Sequence, residues 1–114
     1  MFGRQKTHEV HPKQAVELQR SGAILLDVRE DDEWAAGHAP GAVHVPLGRV
    51  SEATSRFRGQ DVLTVCRSGA RSGRAAKVLA AAGVDVRNVA GGMSSWSAAG
   101  LPVVRGDGSP GRVA

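Results

Sequence analysis

Short apolar runs alternate with helix-like patterns along the chain. Residues 23–28 (AILLDV) and 61–66 (DVLTVC) are mostly apolar and too short for helices, which is typical of strands buried on both faces. Further strands are predicted at 7–10, 42–45 and 84–89. Helices are predicted between the strands and after the last one, over 11–21, 32–36, 50–57, 71–82 and 94–99. The residues expected on the buried face of the 71–82 helix are Ala75, Ala76, Val78, Leu79 and Ala82.

Strands that alternate with helices pair in parallel, so the pattern predicts an α/β fold with a parallel sheet. The chain has 114 residues, which corresponds to one domain. We assign this domain to residues 1–104, because 105–114 is rich in Gly and Pro and is expected to be a flexible tail. Residues 1–10 have no apolar targeting segment, and no apolar run is long enough to cross a membrane. We therefore expect a cytoplasmic protein without a membrane partner. No edge-strand pattern or large apolar stripe indicates assembly, so a monomer is expected by default.

The chain is basic, but its charge is dispersed. The formal net charge is +4, and 12 of the 15 basic residues are Arg, with no run of adjacent cations. Nucleic-acid-binding domains usually concentrate their charge on one face and stack bases on aromatic side chains, whereas aromatic residues make up only 4% of this chain. We therefore expect attraction of small anions but no nucleic-acid partner.

The only cysteine, Cys66, lies where the strand at 61–66 meets the helix at 71–82, so the chain can form neither an internal disulfide nor a Cys-based zinc site. Backbone N–H groups in the Gly-containing turn can converge on an anion, the helix presents its positive end, and Arg67 and Arg71 add charge. The pKa of Cys66 is therefore predicted to lie below its usual value of about 8.5. Such a thiolate is suited to attack an anionic substrate. The alternative is an inert, buried cysteine, which would leave the two neighbouring Arg unexplained.

Four sequence blocks resemble the rhodanese-like single-domain sulfurtransferases, in the order found in that family. They are LLDVREDDEW at 25–34, GHAPGAVHVPL at 37–47, CRSGARS at 66–72 and GGMSSWSAAGLPV at 91–103. Each block alone is weakly specific, but the four together are highly specific. The resemblance covers residues 7–104 and implies the rhodanese-like fold, a small, mostly parallel sheet with helices on both faces.

The resemblance also implies a reaction. Cys66 would take the outer sulfur of thiosulfate, hold it as a persulfide and pass it to cyanide or to a thiol, on a small molecule or a protein. No cofactor and no metal are implied. The cradle would be formed by the loop residues Arg67, Ser68, Gly69, Ala70, Arg71 and Ser72.

Four further residues are candidate supports for the site. Asp27 and Arg29 lie at a strand end, where an acid–base role is conceivable but a local charge pair is favoured, and Glu33 could join that pair. His38 is expected to be a structural hydrogen-bonding residue, since an ionised cysteine needs no general base. The remaining histidines, His8, His11 and His44, have no metal-ligand spacing and are expected in solvent, whereas Trp34 and Trp96 are expected to be packing anchors.

Two other functions remain as alternatives. The first is a phosphatase or arsenate reductase on the same fold. Those relatives have five residues between Cys and Arg, whereas four separate Cys66 from Arg71 here. The shorter cradle suits a single sulfur atom better than a tetrahedral phosphoryl group. A persulfide carrier or redox sensor that docks on a partner protein would use the same cysteine with little turnover, and the sequence does not distinguish it from an enzyme.

Overall fold

The computed structural model describes residues 8–114. Thr7, which belongs to the predicted first strand, lies outside the described residues. The five strands are β1 (His8–Val10), β2 (Ile24–Asp27), β3 (Val43–His44), β4 (Asp61–Val65) and β5 (Asp85–Val89). The α-helices are α1 (Pro12–Arg20), α2 (Asp31–Ala36), α3 (Val50–Ala53), α4 (Ala70–Ala81) and α5 (Gly92–Ala98). Two 3₁₀ turns, Leu47–Arg49 and Thr54–Phe57, flank α3.

The strands form one parallel sheet in the order β1-β5-β4-β2-β3, which confirms the predicted α/β class. Asp27 is in register with both Val65 and His44 across the sheet. The carboxyl ends of β2, β3 and β4 therefore meet at one edge. This edge brings the segment after Asp27 next to the segment that begins at Cys66, and ligands of such sheets bind there.

Helices cover both faces of the sheet and enclose two apolar layers. Leu26 and Val62 point toward α3 and α4, where they pack with Leu79 and with Cys66. Leu25, Leu63 and other alternate residues point toward α1 and α5, where Trp96 is buried as predicted. Burial of each large apolar side chain stabilises the fold by roughly 2 kcal/mol.

Helix α4 differs from its prediction at two apolar positions. Ala75, Ala76 and Leu79 are buried as expected, but Val78 is 38% exposed and Ala82, which follows the last helical residue, is only half-buried. Because an α-helix turns about 100° per residue, Val78 lies more than a quarter turn away from the centre of the buried stripe. It reaches solvent at the flank of the helix.

The C-terminal segment folds back on the domain, so the expectation of a free tail at 105–114 differs from the structure. Val104 pairs with both His38 and Pro110 in antiparallel bridges, and the N–H of Arg112 donates to the carbonyl of Ala36 at 3.0 Å. Val113 packs against the apolar layer under α1 and α5. The Gly and Pro residues form a turn that reverses the direction of the chain, and they do not make the segment a flexible tail. Among residues 8–114, no helix has both the length and the apolar composition needed to cross a bilayer.

Candidate active site

Cys66 lies directly after β4 and is 1% exposed. The loop that follows turns at Gly69, whose φ of 114° is in the left-handed region, and α4 begins at the next residue, Ala70. This sharp turn places the first turn of α4 beside the sulfur. The predicted arrangement of strand, short loop and helix is therefore present.

Two donors contact the sulfur directly. The N–H of Gly69 lies 3.1 Å from Cys66 Sγ, and Ser72 Oγ lies 3.3 Å from it. Burial raises the pKa of Cys66, but the hydrogen bonds from the Ser72 hydroxyl and from the N–H groups of Ser72, Gly69 and Ser68 together lower it below the usual value. The pKa direction agrees with the sequence prediction, and its main source is hydrogen bonding to the thiolate.

Helix α5 holds the loop from the other side. Its first N–H groups donate to the loop carbonyls, from Met93 to Cys66 at 2.7 Å and from Ser94 to Arg67 at 3.0 Å. Gly92 lies so close to the Cys66 loop that a Cβ added to it would be 2.6 Å from the Arg67 carbonyl oxygen. This contact explains why the residue at position 92 is a glycine.

The two arginines of the loop have different environments. Arg71 donates from Nη1 and Nη2 to the two carboxylate oxygens of Glu33 at 2.7 and 2.9 Å. This hydrogen bonding lowers the pKa of Glu33 to about 2 and raises the pKa of Arg71. Arg67 is exposed and forms no salt bridge with any other residue in the 8–114 range. Glu33 thus pairs with the loop, rather than with Asp27 and Arg29 as the sequence suggested.

Asp27 and Arg29 form a fully buried ion pair. The guanidinium donates to the Asp27 carboxylate from Nε and Nη2, at 2.7 Å for the shortest contact, and Nη2 also donates to the carbonyl of Gly37 at 2.8 Å. The pair joins the end of β2 to the end of α2. This geometry is the predicted local charge pair, which shapes the loops beside the Cys66 cradle.

Two histidines stack on Trp34. The ring of His38 lies 3.6 Å from the indole and that of His44 lies 4.8 Å from it, both nearly parallel. His38 Nδ1 donates to the carbonyl of Trp34 at 2.9 Å, which is the structural role expected for it. His44 Nε2 donates to the carbonyl of Arg29 at 2.7 Å. The prediction that His44 is solvated was wrong, because its position in β3 directs the ring onto α2; His8 and His11 are exposed as expected.

A model of the rhodanese-like domain family matches residues 11–99. This chain belongs to the rhodanese-like domain family. A solved structure of a rhodanese-related protein from Thermoplasma volcanium has the same fold, with a TM-score of 0.78 at 28% identity, over 85% of this chain and 97% of that one.

Relatives of this rhodanese-like domain include both enzymes and carriers by name. It is 38% identical to thiosulfate sulfurtransferase 18 of Arabidopsis thaliana over 110 residues, which cover 82% of this chain and 81% of that protein. It is 40% identical to the putative sulfur carrier protein YrkF of Bacillus subtilis over 87 residues, which cover 75% of this chain and 46% of that protein. The chain spans 38% to 58% of the length of three curated relatives that it matches.

The loop of this rhodanese-like domain is supported by a polar network that sequence reasoning missed. Asn88 is 2% exposed, and its Nδ2 donates to the carbonyl of Gly69 at 3.1 Å and to the carboxylate of Glu9 at 3.2 Å. The Thr64 hydroxyl donates to Asn88 Oδ1 at 3.2 Å. Thr64 and Asn88 are polar residues inside buried strands, and they lie in register on β4 and β5. That placement was the available sequence signal, since a buried polar side chain needs a partner.

No group of three or more His, Cys, Asp and Glu side chains in the described part of the chain is arranged to hold a metal ion.

Proposed function

We propose that this rhodanese-like domain transfers sulfane sulfur through a persulfide on Cys66, with thiosulfate or a similar anion as the donor. The observation that carries the proposal is the contact of Cys66 Sγ with the Gly69 N–H and the Ser72 hydroxyl, which lowers the pKa of the thiol. A thiolate is the nucleophilic form of cysteine. Kinship with proteins named sulfurtransferases supports the same reaction.

In the first half-reaction, the Cys66 thiolate attacks the outer sulfur of thiosulfate. A bond forms between Sγ and that sulfur, the sulfur–sulfur bond of thiosulfate breaks, and its electron pair leaves with sulfite. The loop N–H groups that stabilise the thiolate are placed to stabilise the terminal sulfur of the persulfide as well. The exposed Arg67 attracts the donor as it approaches.

In the second half-reaction, a nucleophile removes the outer sulfur from the persulfide. Cyanide gives thiocyanate, a thiol gives a new persulfide, and both regenerate the Cys66 thiolate. The two half-reactions make a ping-pong scheme, which needs neither a metal nor a redox cofactor. The acceptor is a small thiol or a protein thiol.

The four-residue spacing between Cys66 and Arg71 supports sulfur transfer over phosphoryl transfer. The Gly69 N–H and the Ser72 hydroxyl already lie within 3.3 Å of the sulfur. Donors this close surround a single atom, whereas a phosphoryl group needs donors arranged around three equatorial oxygens. Hydrolysis of aryl phosphates is therefore not expected.

A steady-state assay with thiosulfate and cyanide tests the proposal. We expect turnover that is abolished in Cys66→Ser and retained in a control, Ser94→Ala, whose hydroxyl makes no contact with the sulfur. Cys66-independent turnover, or Cys66-dependent hydrolysis of aryl phosphates at a similar rate, would refute it.

The carrier function is the second candidate, and the 40% identity to a protein named as a putative sulfur carrier favours it. A carrier would be isolated with, or would readily accept, one sulfur on Cys66 but would turn over slowly with cyanide. The same assay, combined with the intact mass of the purified protein, separates the two functions.

A further inference from the structure

Arg71, in the first turn of α4, already forms an ion pair with a carboxylate. Both terminal nitrogens of Arg71 bind Glu33, and the Arg71 side chain is 32% exposed while that of Glu33 is 17% exposed. Arg67, three residues before α4, is exposed and forms no salt bridge within residues 8–114. Although the loop contains two arginines, only one of them has an uncompensated charge.

Glu33 is held in place from two directions. Its Oε1 accepts the N–H of Glu30 at 3.0 Å, which completes a capping box at the start of α2, and it accepts Arg71 Nη1 as well. The carboxylate therefore cannot swing away without uncapping α2. Because its pKa is about 2, it stays ionised throughout the neutral range.

We propose that Glu33 is a positioning residue that sets the charge of the donor the site accepts. By binding Arg71, it neutralises one of the two loop cations and so favours monoanionic over dianionic sulfur donors. The choice of donor rests on the proposed sulfur transfer, whereas the positioning of Arg71 by Glu33 can be tested without it.

This discrimination between donors follows from Coulomb's law, because the interaction energy between Glu33 and a donor is proportional to the charge of the donor. A unit charge at about 6 Å and water-like dielectric constant changes the affinity for a monoanion about threefold. The same charge changes the affinity for a dianion about tenfold, because the free energy doubles. Removal of the Glu33 charge should therefore favour dianions selectively.

The first experiment uses Glu33→Gln with two donors that share the same sulfane chemistry. Thiosulfate has two negative charges and methanethiosulfonate has one. In both reactions the Cys66 thiolate bonds to the terminal sulfur, and the electron pair of the broken sulfur–sulfur bond leaves with sulfite or methanesulfinate. Gln keeps the oxygen that accepts the Glu30 N–H, so the helix cap survives.

We expect Glu33→Gln to raise kcat/KM for thiosulfate about tenfold and that for methanethiosulfonate about threefold, mainly through KM. The matched control is Asp32→Asn, which removes the same charge from the next residue of α2, where the side chain is exposed. Screening by salt and water should keep its effect below about twofold for both donors.

The second experiment does not depend on sulfur transfer. Iodoacetate and iodoacetamide both alkylate Cys66 by attack of Sγ on the methylene carbon with loss of iodide, but only iodoacetate is an anion. The ratio of their rates cancels any change in thiol ionisation and reports the local charge. We expect this ratio to rise about threefold in Glu33→Gln and to change little in Asp32→Asn.

The outcomes separate the two proposals. An unchanged alkylation ratio in a folded Glu33→Gln protein, or an equal change in Asp32→Asn, overturns the inference. A raised ratio in a protein that shows no sulfur transfer supports the positioning of Arg71 and refutes the proposed function. If Glu33→Gln melts too low to assay, Arg71→Gln provides the test with opposite sign: exposing the Glu33 charge should lower the ratio about threefold, and an unchanged ratio overturns the inference.

Discussion

At the scale of single residues, the hydroxyl of Ser72 and the N–H of Gly69 control the state of the sulfur. Cys66 is buried among apolar side chains, which by itself would favour the neutral thiol. The donors reverse that preference because a thiolate accepts stronger hydrogen bonds than a thiol does. Reactivity therefore depends on a small number of contacts, each of which can be removed.

Ser72→Ala removes the one side-chain hydroxyl that contacts the sulfur within residues 8–114. Loss of the hydroxyl should raise the pKa of Cys66, because the thiolate loses a hydrogen bond that stabilises its charged form. The alkylation rate with iodoacetamide rises with pH as the thiol ionises, so its midpoint should shift to higher pH in this variant. Ser68→Ala, which removes an exposed hydroxyl and leaves the N–H in place, is the control and should keep the wild-type midpoint. Equal midpoints in Ser72→Ala and wild type would contradict the account.

Arg67→Ala tests the uncompensated charge of the loop. The KM for thiosulfate should rise about tenfold, because the donor loses attraction to a nearby cation, while kcat changes less than about twofold. Added salt should raise the wild-type KM and have a smaller effect on the variant. Arg58→Ala is the control, since Arg58 is exposed just before the amino end of β4, at the opposite edge of the sheet. A KM that is independent of salt and unchanged in Arg67→Ala would refute the electrostatic role.

At the scale of elements, the loop after β4 is held between α4, α5 and the polar pair on β4 and β5. Helix α5 donates two N–H groups to loop carbonyls, and Asn88 donates to the carbonyl of Gly69. The left-handed turn at Gly69 is thus supported from both sides. A rigid loop keeps its N–H groups directed at the sulfur before substrate arrives, which is the arrangement that catalysis by fixed dipoles requires.

Gly92→Ala and Gly100→Ala form a matched pair that separates crowding from backbone strain. Both glycines have positive φ, at 60° and 78°. A Cβ at Gly100 meets open space, whereas one at Gly92 meets loop carbonyls. We expect Gly100→Ala to cost about 1 kcal/mol of unfolding free energy and Gly92→Ala about 3 kcal/mol or more, measured by urea denaturation. Equal losses of unfolding free energy in the two variants would show that close packing of α5 against the Cys66 loop does not add to the cost at Gly92.

The elements were largely predictable from the sequence, and the contacts between them were not. The runs at 23–28 and 61–66 indicated β2 and β4 because parallel strands covered on both faces are continuously apolar. The Cys66 loop was predictable because Cys, Arg and Gly between a strand and a helix indicate a thiolate in an anion-binding turn, and an inert cysteine would leave the arginines unexplained. The partner of Glu33 was missed, since Arg71 lies 38 residues away and only the folded sheet brings them together. The prediction for His44 was wrong because its contacts with Trp34 and with the carbonyl of Arg29 also form only in the folded protein.

At the scale of the whole molecule, the C-terminal segment completes the domain. Its Pro110 pairs with Val104, which in turn pairs with His38, and its Arg112 donates to the carbonyl of Ala36 at the end of α2, the helix that carries Glu33. The composition of 105–114 suggested a tail because Gly and Pro also mark disorder, but here they form a reversal that docks. The segment therefore contributes to the element that positions Arg71.

Truncation after Val104 tests this contribution. Loss of the bridge to Pro110, the hydrogen bond from Arg112 and the packing of Val113 should lower the unfolding free energy by about 2 kcal/mol. Removal of Ala114 alone is the control and should have no measurable effect. If the truncated and full-length proteins have the same urea midpoint, the segment is a tail in solution, as its composition suggested.

The intact mass of the protein after incubation with thiosulfate is the most direct test of the central claim, that Cys66 carries the transferred sulfur. The wild type should gain one sulfur atom, mapped to Cys66 in a peptide digest, and should lose it on treatment with cyanide or dithiothreitol. Cys66→Ser should gain none. A wild type that releases sulfite without forming this adduct, or an adduct that persists in Cys66→Ser, would contradict the account.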